Sequence, residues 1–228
     1  MSRRTFEYDL QRLHDEVLSL GSMAEGALIG GAHLLKSWDR AAARHLIAAD
    51  QAINSRRLQI ESDCLTLIAT QQPMARDLRF LAGVLEIATE LERLGDYGKG
   101  IARIVLLMES RSVLPPLMLI PEMAGLVRAM LHGALTAFSE RNADLARQIA
   151  RQDDQVDRLY NRINRGLIDQ ILANPACVDQ ANNLMWAAHN MERAGDRVVN
   201  ICERVIFTVT GEMRELGADA QLVMDNAQ

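Results

Sequence analysis

The chain carries nearly the same pattern twice, and that repetition limits what it can fold into more than any other feature. Glu92-Arg93-Leu94-Gly95-Asp96 recurs as Glu192-Arg193-Ala194-Gly195-Asp196, 100 positions further on. Asp50-x-x-Ile53-Asn54 has a counterpart in Asp153-x-x-Val156-Asp157, Pro73 in Pro175, and Leu35-Lys36-Ser37 in Phe138-Ser139-Glu140. Landmarks repeated in one order are the mark of a duplicated structural unit.

The unit is helical. Leu46, Ile53, Ile60, Cys64 and Leu67 follow steps of three and four residues or their sums, and so do Leu78, Leu81, Leu85 and Ala88. That spacing gathers apolar side chains on one face of a helix. Proline breaks helix interiors, and the five prolines fall at Pro73, at Pro115, Pro116 and Pro121, and at Pro175. The pattern predicts helices at about 6–37, 40–70, 76–110, 118–140, 143–173 and 179–214, split three and three by the central prolines. Short connections between long helices make antiparallel neighbours. The expectation is an all-α fold of two tandem three-helix bundles, residues 1–113 and 114–228, related by an approximate twofold and joined near Arg111–Pro121.

Composition agrees and excludes other classes. Hydrophobic residues make up 49% of the chain and aromatics 4%, which allows a sizeable core and disfavours a β-sandwich. A net charge of −5, from 25 basic and 30 acidic residues, is not the basic stripe of a nucleic-acid binder. Cys64, Cys177 and Cys202 are odd in number and lack C-x-x-C spacing, which fits a reducing compartment better than a disulfide framework. Arg3 and Arg4 are followed by Glu7, Asp9, Arg12 and Asp15 rather than an apolar run, so no secretory signal is expected, and no apolar run is long enough for a membrane helix.

Acids occupy core positions in both halves. The third helix's apolar stripe continues to Glu92 and Asp96; in the sixth helix, Met185 and Ala188 step to Glu192 and Asp196 and on to Val199 and Cys202. In the second helix Leu46 steps to Asp50 and Ile53; in the fifth, Ile149 steps to Asp153 and Val156. Residues four apart share a helix face, and two carboxylates there repel one another. Buried charges must be paired, protonated or metal-bound. Carboxylates from facing helices can cage a hard cation, and all-oxygen ligation suits Mg, Ca, Mn or Fe. The same acids can instead sit on the bundle rim and pair with Arg57, Arg79, Arg93 or Arg193. Gly95 and Gly195, beside the acids, are expected where a helix, ion or partner approaches closely. His189, three before Glu192, reads as a rim histidine. Walker, G-x-G-x-x-G, H-E-x-x-H and G-x-S-x-G motifs are absent, as is the Glu-x-x-His signature of bundle oxidases.

These residues resemble the PhoU family of phosphate-specific transport system accessory and regulatory proteins. The likeness covers nearly the whole chain. It is carried by Gln72-Pro73-x-Ala75-x-Asp77-Leu78-Arg79, by both Glu-Arg-x-Gly-Asp segments, and by Asn200. The resemblance implies a cytoplasmic, non-enzymatic negative regulator of phosphate uptake and the phosphate-starvation response. Such a protein acts on transcription indirectly, through two-component signalling. It docks the phosphate transporter's ATP-binding subunit and the phosphate-sensing histidine kinase and forms a homodimer, without binding nucleic acid or inserting into a membrane. The resemblance further implies a divalent or trivalent metal ion (Fe, Zn, Mg or Mn) at paired acidic motifs. The first site would use Asp50, Glu92 and Asp96, and the second Asp153, Asp157, Glu192 and Asp196. Two departures weaken the first: Asn54 stands where the motif has a carboxylate, and Gly100 where the second half has Asn200. The alternative is a metal-binding helical bundle without a signalling role.

Overall fold

The computed structural model describes residues 3–110, 114–213 and 215–216. The first half consists of α1 (Arg3–Ser37), α2 (Arg40–Gln71) and α3 (Arg76–Leu107). The second consists of α4 (Ile120–Glu140), α5 (Ala143–Ala150), α6 (Asp153–Ala173) and α7 (Val178–Thr210), with 3-10 turns at Pro115–Leu119 and Pro175–Cys177. No strand occurs among the described residues. The boundary expected between 113 and 114 borders residues 111–113, which lie outside the described residues.

Every proline sits at an element border, where its missing N–H costs nothing. The helix ends differ from expectation in three places. Helix α3 stops at Leu107 and α7 at Thr210, where Gly211 takes a left-handed φ of 81° and its N–H reaches Phe207 O. The expected helix 143–173 is broken at Arg151–Gln152. Two consecutive acids, Asp153 and Asp154, then open α6, where the unpaired N–H groups of a helix start favour negative charge.

The repeat extends to details of the backbone. Trp38 and Arg141, 103 positions apart, both adopt a left-handed φ, 54° and 52°. Each is followed by a side-chain cap. Asp39 accepts from the N–H groups of Ala41 and Ala42, and Asn142 from that of Leu145. Gly30 lies under Leu46 just as Gly133 lies under Ile149.

Helices α3 and α7 form the centre. They run antiparallel, with Gly83 against Thr208 at one end and Gly100 against Asn190 at the other. Arg204 pairs with Glu86 at 2.9 Å and Arg197 with Glu90 at 3.4 Å along the seam. Because α3 is covered by α1, α2 and α7, its buried face is wider than one stripe: Val84, Ile87, Leu91 and Leu94 are buried alongside Leu81 and Ala88, while Leu78 is exposed. Both halves share one continuous apolar core. All three cysteines are buried and free; burial pushes the thiols of Cys64 and Cys202 up to about 12, so neither is a ready nucleophile. Among the described residues no helix is long and apolar enough to cross a membrane.

Candidate functional site: two acidic clusters

The structure brings the predicted acids together in two places, one in each half. Asp50 on α2 faces Glu92 and Asp96 on α3; Asp153 and Asp157 on α6 face Glu192 and Asp196 on α7. The glycines explain the closeness. A Cβ on Gly95 would stand 2.8 Å from the Ile53 side chain, and one on Gly195 would stand 2.5 Å from Asp153 Oδ1. The close approach expected at both glycines is therefore that of α2 and of α6. At Gly195 the neighbour is the carboxylate itself.

The first cluster contains its own cation. Lys99 Nζ donates to Asp50 Oδ2 at 2.6 Å and to Asp96 Oδ1 at 3.1 Å. Asn54 Nδ2 donates to the same Asp50 Oδ2 at 3.1 Å. Asp50 is only 5% exposed, the most buried acid described. Hydrogen bonds to both carboxylates, Asp50 first, hold the Lys99 ammonium above its ordinary pKa. Glu92 is raised by partial desolvation and by Asp96, against the pull of the Arg57 guanidinium. Arg57 itself pairs with Glu61 at 2.5 Å.

In the second cluster the acids push on one another. Desolvation, then Asp157, Asp196 and Glu192, raise Asp153 from 3.8 to about 7. Desolvation followed by Asp196 and Asp157 raises Glu192, and Asp157, on the exposed rim, shifts the same way through desolvation and Asp196. Asp153 Oδ1 and Glu192 Oε2 are buried without a hydrogen-bond partner. Buried acceptors of this kind call for a proton or a cation. The nearby basic side chains are peripheral. Arg193 Nε stands 3.8 Å from Asp196, and His189 Nδ1 3.4 Å from Glu192 Oε2. His189 also lies beside Tyr160 and Trp186, with ring centroids 6.2 and 6.1 Å away.

As a donor set, four carboxylates with two orphaned buried oxygens fit a hard cation. The first cluster also has an orphaned buried oxygen, Asp50 Oδ1, but it fits a cation less well, because Lys99 and Asn54 already occupy Asp50 Oδ2 and Lys99 brings a positive charge of its own. Among the described residues no three His, Cys, Asp or Glu side chains form a preformed metal-holding group, so gathering ligands in the second cluster requires side-chain rotation. One expected partner lies elsewhere: Arg79 packs beside Gly211 at the end of α7. Gly100, the departure from Asn200, faces Asn190 across the central seam.

Sequence reasoning missed Lys99, although the signal was present. The stripe that runs Glu192, Asp196, Val199 on α7 runs Glu92, Asp96, Lys99 on α3.

Comparison with known proteins places the fold. The PhoU domain model matches the chain twice, at residues 17–105 and 120–205. The chain belongs to the PhoU family. A PhoU homologue from Clostridium acetobutylicum, a phosphate-specific transport system accessory protein, is 36% identical over 217 residues, covering 95% of this chain and 99% of that one. The PhoU protein of Escherichia coli is 31% identical over 215 residues, covering 94% and 89%. The crystal structure of the phosphate transport system regulatory protein PhoU from Streptococcus pneumoniae superposes with a TM-score of 0.85 at 30% identity, over 92% of this chain and 99% of that one. PhoU from Pseudomonas aeruginosa gives 0.85 at 29% identity, over 91% and 100%. The two tandem three-helix bundles are thus the PhoU fold, with the acidic clusters one to a repeat.

Proposed function

We propose that this chain regulates phosphate uptake and represses the phosphate-starvation response by docking. It works in the cytoplasm as a homodimer, between the ATP-binding subunit of the phosphate transporter and the phosphate-sensing histidine kinase, and performs no catalysis. The observation that carries this reading is the likeness along almost the whole chain to proteins named as accessory and regulatory parts of a phosphate transport system. The site chemistry is in keeping with it. The titratable groups of the clusters are carboxylates and the Lys99 ammonium, which is held charged by two of them, without a nucleophile held by a base. Charged rims such as α6, with Arg158, Arg162 and Arg165, steer encounters and set specificity.

A divalent or trivalent cation (Fe, Zn, Mg or Mn) is part of the reading. Asp153, Asp157, Glu192 and Asp196 would hold it, relieving their mutual repulsion and tying α6 to α7. A metal held between two helices stabilises the folded form over the unfolded one.

The test is genetic and biochemical. Deleting the gene should switch on starvation genes in high phosphate, and pull-down of the chain in high phosphate should recover the kinase and the ATP-binding subunit. Unchanged uptake and signalling after deletion would overturn the assignment. A folded variant with Glu92, Asp96, Glu192 and Asp196 changed to alanine that still represses would separate the acids from signalling.

A further inference from the structure

The two clusters differ in what neutralises them. Helix α3 places Lys99 so that its ammonium bridges Asp50 and Asp96, two of the three acids of the first cluster. The corresponding residue of α7 is Val199. The first cluster also has the Arg57 guanidinium close enough to Glu92 to lower its pKa; the corresponding residue of α6 is Tyr160. These two cations of the first cluster are therefore each matched by an uncharged side chain in the second, whereas Arg93 and Arg193, which act alike on Glu92 and Glu192, are common to both.

We propose that Lys99 is a resident ammonium that stands in for a metal ion, so that this chain loads metal at the second cluster alone. The proposal rests on the reading that the second cluster takes a metal. Three features of the first cluster argue for it. The ammonium is tethered, so it never has to be recruited from solution. An incoming ion would have to displace it and leave a half-buried charge with no partner, which is costly. Finally, Asn54 turns its N–H toward Asp50 Oδ2. Serving a metal would mean swinging that amide round to present its oxygen, and Asp50 would lose a hydrogen bond. The second cluster meets none of these obstacles.

The proposal is tested by metal content. The purified full chain is loaded with manganese(II), freed of excess by gel filtration, and assayed for metal per protein; zinc(II) is the second probe. Asp153→Asn with Glu192→Gln should strip wild type of nearly all its metal, and Asp50→Asn should strip little. Lys99→Val, which installs the residue the second half already uses, should roughly double the bound metal. That gain should persist in the Asp153→Asn, Glu192→Gln background and vanish when Asp50→Asn is added. Lys99→Arg keeps the charge and should show no gain. Helical circular dichroism confirms that each variant is folded. Wild-type metal that resists the second-cluster changes but is lost with Asp50→Asn overturns the proposal. So does a folded Lys99→Val that gains nothing. A wild-type chain that binds neither metal overturns the metal reading of the second cluster, and Lys99→Val then decides the role of Lys99 independently.

Discussion

The two repeats share a backbone plan but divide the electrostatic work unequally. In the first, the acid at the α2 position is mid-helix, buried, and held by an ammonium and an amide. In the second, its counterpart Asp153 opens a new helix, over Gly195, with three other carboxylates for company. One repeat has an ammonium bridging two of its acids, and the other has only arginines at its edge. The difference teaches that a motif at the sequence level does not determine the state of a site. A single residue one turn further along the helix does.

The largest contrast is steric. In the first repeat α1 meets α3 backbone to backbone: a Cβ on Gly98 would collide with the carbonyl of Ala27, and one on Gly31 with the carbonyl of Gly98. The second repeat has Val198 and Ala134 at these places. Gly98→Val, which copies one repeat into the other, should destabilise the chain by about 3 kcal/mol or more, since backbone atoms cannot yield as a flexible side chain can. Urea denaturation measures it, and a near-neutral result would break the idea that the first repeat is the tighter one.

Next comes the ammonium. Lys99→Ala should cost about 2 kcal/mol by leaving the Asp50 carboxylate buried with only the Asn54 amide for a partner. Adding Asp50→Asn should recover most of that loss, whereas two independent losses would show that the pair is not coupled. The converse change, Val199→Lys, should stabilise the second repeat at neutral pH and lower its metal uptake.

The third contrast is a pH dependence. Asp153 titrates near 7 in the folded chain and near 3.8 when unfolded. Between these values the folded state binds the extra proton, so this group's stabilising contribution is fully present below pH 3.8 and lost as pH rises through 7. With a chelator present, Asp153→Asn should remove roughly 2 kcal/mol of that decline between pH 4 and 8, after discounting for partial solvent exposure. A wild type and variant with parallel pH profiles would place Asp153 in contact with water rather than with its neighbours.

The smallest concerns the caps. Asp39→Ala removes a side chain that serves two N–H groups and Asn142→Ala one that serves a single N–H; both should cost about 1 kcal/mol, the first somewhat more. Thermal melts of the two variants rank them.

Much of this was legible in the sequence. The proline positions marked the ends of the helices, and the 3- and 4-residue steps put Asp50 inward because a carboxylate there interrupts an otherwise apolar run. Other parts were hidden for physical reasons. A left-handed φ at Trp38 and Arg141 carries no glycine to announce it. The break at 151–152 lies inside a helical pattern with no proline, and only the acid pair that follows hints at a new start. Lys99 reads as an ordinary surface lysine until α2 is packed against α3, because its partner Asp50 lies 49 residues away.

The central seam of α3 and α7 has a consequence for ancestry. It is built from one surface meeting its own near copy, antiparallel about an approximate twofold, which is the form of contact that two identical chains make. A single-repeat ancestor could have paired through it as a symmetric dimer. In such a dimer every substitution is made twice: a lysine that closes one cluster closes both. Joining the repeats in one polypeptide lifts that constraint, and only then can position 99 become lysine while position 199 stays valine.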